Sequence, residues 1–271
     1  MNRLSDRVAL VTGASSGIGN AIAAAFGREG ASVVVADVRR EPKLDGERSV
    51  FGKLDDADAE SRYVETDVTD EEDVQAAVET AVTEFGGLDI LVNNAGIYYQ
   101  YEAHETPTEA FDEIQAVNLR GTFLCSKAAV PALRDSVNPK IINLSSILGL
   151  VGDGKSAAYC ASKGGVSNLT RGMALDYADD EINVNALAPG IIKTAQNAEW
   201  RENDPELLAD WERRAGGGRG GPAFFSNWRG RAKGGGGGVW GGRRRKEKKS
   251  NSCNSEESAY HSVTKSLMII R

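Results

Sequence analysis

The chain has 271 residues, of which 41% are hydrophobic and 26% are charged, an ordinary composition for a globular protein with one large core. No apolar run reaches the roughly 18 residues that a membrane-spanning helix needs, and the first one is too short for a secretory signal. We therefore expect a cytoplasmic protein without membrane partners. Three widely spaced cysteines argue against a disulfide framework and against a cysteine-based zinc site, and no metal is predicted.

Charge divides the chain at Glu212. Residues 1–212 hold 18 Lys+Arg against 36 Asp+Glu, whereas residues 213–271 hold 14 Lys+Arg against 3 Asp+Glu. The acidic part resembles proteins of high-salt cytoplasm, in which salt screens self-repulsion, although an acidic protein of ordinary conditions has the same composition. We predict a folded domain at 1–212 and a basic tail at 213–271.

Short β-branched runs alternate with longer helical patterns up to about Ala209. The predicted strands are RVALVT, SVVVAD, RYVETDV, LDILVNN, KIINLSS and INVNALA, and the predicted helices cover 18–29, 71–85, 107–133 and 157–177. Strands rich in Val and Ile, without polar alternation, are typical of a sheet that is buried on both faces. This alternation predicts an α/β fold, a Rossmann-type doubly wound parallel sheet in three layers, α/β/α.

Two segments depart from this alternation. Residues 39–61 are polar and longer than a usual connection, so we expect an excursion that is partly helical or mobile. After Arg214 the periodicity fails, and GGGGGVWGGRRRKEKK at 234–249 has too little apolar surface to offset the entropy of ordering it. We predict disorder from about 215 to 265.

A glycine-rich turn, TGASSGIG, lies between the first strand and the first helix at residues 12–19. Gly13, Gly17 and Gly19 allow a tight turn in which the backbone approaches a pyrophosphate at the N-terminus of the helix. The strand, turn and helix context makes this a stronger signal than the glycines alone. The turn predicts a dinucleotide cofactor.

The end of the second strand bears on which dinucleotide binds. Asp37 lies about 20 residues after the glycine turn, where a carboxylate accepts hydrogen bonds from an adenosine ribose and repels a 2′-phosphate. We therefore predict NAD as the preferred cofactor. NADP stays the alternative because Arg39 and Arg40, which follow at once, could reach a 2′-phosphate.

The same turn also spells G-x-S-x-G around Ser15, the nucleophile string of serine hydrolases. A hydrolase needs a histidine beyond the nucleophile, and the two candidates are His104 in a polar segment and His261 in the basic tail. Neither position suits a triad. The pattern therefore favours the dinucleotide turn.

The segment YCASK at 159–163 carries a sharper signal. Tyr159 and Lys163 are four residues apart in a predicted helix, so their side chains share one face. A tyrosine has a pKa near 10 and is a poor base, but an ammonium group and a cationic nicotinamide ring nearby would favour its phenolate. Taken alone, such a pair is usually only part of a helix surface, but its position relative to the other motifs favours proton transfer coupled to hydride transfer.

These motifs together resemble those of the short-chain dehydrogenase/reductase family over roughly residues 4–200. The resemblance rests on TGASSGIG, Asp67 with Val68, NNAG at 93–96, Asn118 in VNLRG, Ser146 in NLSS, YCASK and the Pro189-Gly190 turn. It implies catalytic roles for Asn118, Ser146, Tyr159 and Lys163. It implies cofactor contacts for Gly13, Ser15, Ser16, Gly17, Ile18, Gly19, Asp37, Asp67, Val68, Asn94, Ala95, Gly96, Tyr159, Lys163, Pro189, Gly190, Ile192 and Thr194.

In this interpretation Ser146 holds the substrate oxygen at Tyr159, which gives or takes the proton. Lys163 lowers the Tyr159 pKa and binds the nicotinamide ribose, and Asn118 anchors a water chain to solvent. Ser145 and Ser146 could instead only cap a strand end. Asn93 and Asn94 have a supporting role, since asparagines at strand ends often cap turns.

The substrate is predicted only as a small alcohol or ketone. Apolar residues at 147–151 and 191–192 would line a pocket wall, and IYYQY at 97–101 would add aromatic surface unless these rings only pack in the core. The acidic segment 194–211 matches the substrate lid of the family and argues against a highly anionic substrate. A sugar, a secondary alcohol, a steroid-like ketone and a 3-oxoacyl thioester stay open.

The resemblance ends before the tail. Family members continue with a helix and a last strand that complete the sheet and part of a tetramer interface, so we expect no normal last strand and no usual tetramer. A homodimer through the helices at 108–134 and 157–178 is expected instead.

The tail is either a nucleic-acid arm, with Trp228 and Trp240 to stack on bases, or the product of a shifted reading frame. The loss of core elements favours the shifted frame and a protein that does not act on nucleic acid, with an inactive relative as a further alternative.

Overall fold

Val- and Ile-rich segments form the centre of the molecule in a computed structural model that describes residues 2–43, 45–190, 192 and 194 and the backbone of 224–226. The parallel strands are β1 (Val8–Thr12), β2 (Ser32–Asp37), β3 (Ser61–Glu65), β4 (Ile90–Asn93), β5 (Lys140–Leu144) and β6 (Asn183–Ala188). Their order is β3-β2-β1-β4-β5-β6. The order reverses between β1 and β4, and a crevice opens there at the carboxyl ends of the strands.

Helices cover both faces of the sheet. They are α1 (Gly17–Arg28), α2 (Val50–Asp55), α3 (Glu71–Phe85), α4 (Thr108–Gln115), α5 (Gly121–Leu133) and α6 (Ala157–Asp176). The helix predicted at 107–133 is interrupted by a π-helical turn at Ala116–Arg120, which separates α4 from α5. Such turns widen a helix locally and often lie at functional sites.

Alternate residues of each strand pack on opposite helical layers. On β1, Val8 and Leu10 contact the layer of α3, α5 and α6, while Ala9 and Val11 contact the layer of α1 and α2. All five residues of β1 are buried, as a parallel sheet covered on both faces requires. The predicted three-layer Rossmann-type fold is confirmed.

The connection at 39–61 contains one short helix, α2, so its predicted partly helical character is confirmed. Val50 and Leu54 of α2 are fully buried beneath the layer of α1. The side chain of Ser49 caps this helix by accepting a hydrogen bond from the Phe51 N–H.

The prediction of disorder from about 215 to 265 is wrong at three residues. A seventh strand, β7 (Phe224–Ser226), pairs antiparallel with β6 inside the segment predicted to be disordered. Pairing with the edge of β6 accounts for order there, because it satisfies backbone groups without a core of its own. The rest of the 213–271 tail, including Trp228 and Trp240, lies outside the described residues.

None of the helices described here has the length and apolarity to cross a membrane.

Candidate active site

The glycine-rich turn joins β1 to α1 at the crevice. Gly13 has φ +61°, in the left-handed region, and a Cβ atom there would lie 2.9 Å from Ala95 Cα. A Cβ atom at Gly19 would lie 2.2 Å from the Gly13 carbonyl oxygen, so no other residue fits without a shift. The Asn94 side-chain amide donates to the carbonyl oxygens of Thr12 and Gly13, both at 2.9 Å. Asn94 therefore holds the turn in shape, as its predicted supporting role requires.

Asp37 lies beside this turn at the end of β2. Its carboxylate accepts hydrogen bonds from the Ser15 N–H at 3.0 Å and the Arg39 N–H at 3.3 Å, while it lines the cavity. The Arg40 guanidinium stacks on the Phe51 ring, 4.2 Å from its centroid, and is not among the described lining residues. Of the two arginines, only Arg39 lines the cavity.

The segment after β2 contacts the turn in a way that the sequence pattern did not indicate. The Glu47 carboxylate accepts a hydrogen bond from the Gly17 N–H at 2.8 Å, and the Lys43 N–H donates to Ser16 Oγ at 2.5 Å. These two hydrogen bonds join residues about 30 positions apart, and no local sequence motif predicts them.

Ser15 does not have the geometry of a nucleophile. Its side chain is fully buried and its hydroxyl donates to the Arg39 carbonyl oxygen at 2.7 Å. The His104 side chain is 78% exposed beside Glu102 and Glu105. The hydrolase interpretation therefore has no support among the described residues.

The NNAG segment follows β4. The buried Asn93 amide donates to Ser126 Oγ at 2.9 Å and Asn143 Oδ1 at 2.8 Å, so it ties β4 to α5 and β5. Asn93 thus supports the sheet and does not face the cavity.

Asn118 lies in the π-helical turn and is fully buried. Its side-chain oxygen accepts from the Ile97 N–H at 2.8 Å, and its amide donates to the Ile97 carbonyl oxygen at 3.0 Å and Ser162 Oγ at 3.1 Å. The side chain therefore anchors the segment after β4 to α6. Its predicted place in a proton relay is not tested and stays a prediction.

Ser146, Tyr159 and Lys163 converge on the cavity from the end of β5 and the first two turns of α6. Lys163 Nζ donates to the Leu144 carbonyl oxygen at 2.7 Å and lies 5.8 Å from the centroid of the Tyr159 ring. Both Ser145 and Ser146 line the cavity. The Ser145 hydroxyl is engaged with α6, because it bonds to Ser167 Oγ at 2.7 Å and donates to the Lys163 carbonyl oxygen at 2.9 Å.

Burial sets the acid–base properties of Tyr159 and Lys163 in the chain itself, and a lowered Tyr159 pKa beside a cationic nicotinamide ring stays a prediction. Burial raises the pKa of Tyr159 to about 12, although hydrogen bonding with Ser146 acts to lower it. Burial also lowers the pKa of Lys163 to about 8. Burial is the largest cause of the pKa shift of each of the two groups.

One cavity of about 630 Å³ unites most of the predicted site. The predicted residues that line it are Gly13, Ser16, Gly17, Ile18, Asp37, Asp67, Val68, Asn94, Ala95, Gly96, Ser146, Tyr159, Lys163, Pro189, Gly190, Ile192 and Thr194. Ser15, Gly19 and Asn118 lie behind this surface and shape it. The lid predicted beyond Thr194 lies outside the described residues.

Sequence reasoning singled out the aromatic segment at 97–101, which includes Gln100, but not its contacts with Ser156 and Tyr159. Tyr98 and Tyr99 line the cavity, and the Tyr98 ring packs against the Tyr159 ring. Ser156 and Gln100 bond to the Tyr98 hydroxyl. Single polar residues in loops carry no periodic signal by which they could have been found.

Comparison with known proteins agrees with this geometry. A family model described as short chain dehydrogenase matches residues 7–205. The chain belongs to the short-chain dehydrogenase family and is an oxidoreductase that acts on CH–OH groups.

Individual relatives are similar over most of their length. The chain is 44% identical to cis-4-hydroxycyclohexanecarboxylate dehydrogenase of Sinomonas cyclohexanicum, over 70% of this chain and 74% of that protein. It is 43% identical to 2-(R)-hydroxypropyl-CoM dehydrogenase of Xanthobacter autotrophicus, over 74% and 80% of the two chains. The crystal structure of levodione reductase is 33% identical with a TM-score of 0.69, and the match covers 78% of this chain and 82% of that one.

Proposed function

We propose that the protein is an NAD-linked dehydrogenase of neutral secondary alcohols, reversible toward the ketones. The observation that carries this proposal is the convergence of Ser146, Tyr159 and Lys163 on the cavity that the glycine-rich turn also lines. An acid–base group and a dinucleotide site in one cavity fit a proton transfer coupled to a hydride transfer.

The residues present fit a nicotinamide dinucleotide. The turn at Gly13 leaves no room for a side chain, so backbone can approach a pyrophosphate, and Asp37 lies in the cavity where a ribose diol would be bound. When bound, the nicotinamide ring accepts or gives up the hydride. Lys163 would hold the adjacent ribose, and Pro189, Gly190, Ile192 and Thr194 would contact the nicotinamide side.

The phenol of Tyr159 is the proton donor to a ketone oxygen or the acceptor from an alcohol. Ser146 Oγ accepts from the Leu148 N–H at 3.1 Å, and a hydroxyl that accepts from the backbone can still donate its own proton to a substrate oxygen. In this way Ser146 would orient the substrate oxygen toward Tyr159. Asn118 would fix the wall behind them and connect, as predicted, to a water chain.

The preference for NAD rests on charge. Asp37 lines the cavity and would repel a 2′-phosphate, whereas Arg40 is engaged with the Phe51 ring. Arg39 and Lys43 remain near enough to line the same end, so NADP binding would be weaker but not abolished.

The substrate end of the cavity supports a neutral molecule. Its described walls include Tyr98, Ile147 and Leu148, with Glu113 at the side, and Lys163 Nζ lies 5.8 Å from the centroid of the Tyr159 ring. A carboxylate on the substrate would meet a carboxylate rather than a guanidinium. Flat aromatic and branched aliphatic walls favour a ring-bearing secondary alcohol over a sugar.

Turnover with a matched pair of alcohols tests this proposal. Cyclohexanol and 4-hydroxycyclohexanecarboxylate differ by one carboxylate, and we expect kcat/KM with NAD to be at least about tenfold higher for cyclohexanol. Tyr159→Phe should lower kcat by about 10³-fold and leave the NAD-dependent rise in melting temperature in place. Tyr177→Phe, at the far end of α6, is the control and should keep full activity. Absence of NAD(P)-linked turnover from the wild-type protein across neutral alcohols would contradict the proposal.

The oligomer is proposed to be a homodimer through α4, α5 and α6. Phe123 on α5 is 48% exposed and Leu175 on α6 is 56% exposed, large apolar side chains that a second copy would cover. Phe123→Glu should convert the dimer to a monomer in light scattering. An unchanged mass would exclude α5 from the interface.

Location in the cytoplasm and adaptation to high salt stay predictions. The basic tail lies outside the residues matched by the family model and, apart from the backbone of Phe224–Ser226, outside those described, so both hypotheses on its origin stay open. No comparison supports a nucleic-acid function.

A further inference from the structure

The segment that follows β4 is attached to the start of α6 at two points. The Tyr101 N–H donates to the Lys155 carbonyl oxygen at 3.0 Å, and Tyr101 forms an isolated parallel bridge with Ser156. At its other end, both backbone groups of Ile97 are bonded to the buried Asn118 amide. Tyr98 lies between these anchors, so its backbone is fixed on both sides.

The hydroxyl of Tyr98 belongs to a hydrogen-bond chain. Ser156 Oγ donates to the Gly154 carbonyl oxygen at 3.1 Å. The Tyr98 and Ser156 hydroxyls share a hydrogen bond at 2.9 Å, in which Tyr98 is the donor whenever the Ser156 proton points to Gly154. The Gln100 amide donates to the Tyr98 hydroxyl at 3.0 Å, which completes the chain.

The ring of Tyr98 meets the catalytic candidate directly. The centroids of the Tyr98 and Tyr159 rings are 4.8 Å apart at an interplanar angle of 79°, an edge-to-face contact. Ser156 is the N-cap residue of α6, three positions before Tyr159, and its side chain makes no cap hydrogen bond to the helix. It bonds to Tyr98 instead, so one residue links the Tyr98 ring to the helix that carries Tyr159.

We propose that Tyr98 is a positioning residue for Tyr159: its ring forms a wall of the pocket around the phenol, and its hydroxyl fixes that ring to the start of α6. This rests on the proposed function, because the role of Tyr159 in proton transfer is part of it. The cavity lining and the two anchors argue for a positioning role in the site as well as a contribution to packing.

The pKa of Tyr159 is a quantity by which the proposed role of Tyr98 can be measured. Burial is the main cause that raises the Tyr159 pKa to about 12, with smaller contributions from Tyr98 and Cys160 in the same direction. Ser146 acts to lower it, and the Lys163 ammonium lies 5.8 Å from the ring centroid. Removing the Tyr98 ring would admit water to the phenol and lower the Tyr159 pKa, whereas phenylalanine at position 98 keeps the wall.

The first experiment follows Tyr159 by NMR during a pH titration, with tyrosine labelled by ¹³C at Cζ and the resonance assigned with Tyr159→Phe. In Tyr98→Leu we expect the Tyr159 midpoint to fall by at least about one pH unit relative to the wild type. Tyr98→Phe should leave the midpoint nearly unchanged. The control is Tyr101→Phe, since the Tyr101 side chain is 40% exposed and does not line the cavity. An unchanged midpoint in Tyr98→Leu would overturn the proposal, and this readout needs no turnover.

The second experiment tests the hydroxyl with a near-isosteric variant, so it does not depend on the folding of Tyr98→Leu. We expect Tyr98→Phe to lower kcat about three- to tenfold, with KM and melting temperature nearly unchanged. The ring at position 98 would no longer be hydrogen-bonded to Ser156, so it would hold Tyr159 in position less well. Tyr101→Phe should keep the wild-type kcat. An unchanged kcat in Tyr98→Phe would remove the hydroxyl from the proposal. Absence of turnover in the wild type would count against the proposed function alone, since the titration still decides the positioning role.

Discussion

Two regions of the cavity differ in the part of the chain that forms their surface: backbone at the glycine-rich turn and side chains around Tyr159. At the glycine-rich turn the backbone around Gly13 forms the surface, and the Asn94 amide side chain bonds to the carbonyl oxygens of Thr12 and Gly13. At the catalytic end the surface consists of side chains, among them Tyr159 and the 4%-exposed Lys163, whose charged forms are disfavoured by burial. The glycine-rich turn depends on backbone shape, whereas Tyr159 and Lys163 depend on the balance between burial and charge.

Substitutions in these two regions should differ in how their effects depend on pH. Substitutions at the glycines of the turn should act by steric exclusion and show little dependence on pH. Substitutions at the catalytic end should change the balance between burial and charge, so their effects should vary with pH.

The largest effect is expected at the turn. Gly19→Ala places a Cβ atom 2.2 Å from the Gly13 carbonyl oxygen, which forces backbone to move. We expect a loss of about 2–3 kcal/mol of unfolding free energy and loss of the NAD-dependent rise in melting temperature. Gly172→Ala is the matched control, because nothing lies within 4 Å of a Cβ atom there and alanine favours helix α6 by about 1 kcal/mol. Retained NAD binding in Gly19→Ala would show that the turn tolerates a displaced backbone.

The second prediction concerns Lys163. Its pKa falls from 10.5 to about 8 in the folded chain, so the folded state binds fewer protons than the unfolded state between these values. Stability is therefore reduced below about pH 8 and recovers as the pH rises toward 10.5. Lys163→Met removes this cost but leaves the Leu144 carbonyl oxygen unpaired, and we expect a net gain of about 1–2 kcal/mol at pH 7 that disappears near about pH 10. Activity should fall by about 10²-fold or more.

Chemical denaturation at both pH values measures this gain. Lys127→Met is the control, because the Lys127 side chain is 59% exposed and pairs with Glu71 at the surface. We expect the control to change stability by no more than about 0.5 kcal/mol at either pH. A loss of stability in Lys163→Met at pH 7 would mean that the hydrogen bond to Leu144 outweighs the buried charge.

The smallest effect is expected at Asp37. Asp37→Asn keeps a side-chain oxygen that can accept from the Ser15 N–H but removes the charge. We expect the ratio of kcat/KM for NAD over NADP to fall by about tenfold, with stability nearly unchanged. Asp45→Asn, at an exposed position in the following segment, should leave the ratio unchanged. A preference unaffected by Asp37→Asn would assign cofactor choice to other residues of that end.

The elements that could be predicted are those with a local cause. The helix predicted at 71–85 is α3, because Asp70 caps its N-terminus and Gly86, with φ +85°, ends it. The π-helical turn at Ala116–Arg120 was missed, since its sequence continues a helical pattern without a break. The strand at Phe224–Ser226 was missed because its order comes from pairing with β6 and not from its own composition.

The sequence by itself determined the fold and many of the residues that line the cavity, because repeated strands of Val and Ile, glycines at fixed spacing and the Tyr159–Lys163 pair are local signals. The tertiary structure decided the direction of the pKa shifts of that pair and which distant residues contact it. Burial around Tyr159, and the contact with Tyr98 from a loop 61 positions earlier, depend on how distant segments pack. Solvation and long-range contacts are properties of the assembled chain, and no pattern of neighbouring residues encodes them.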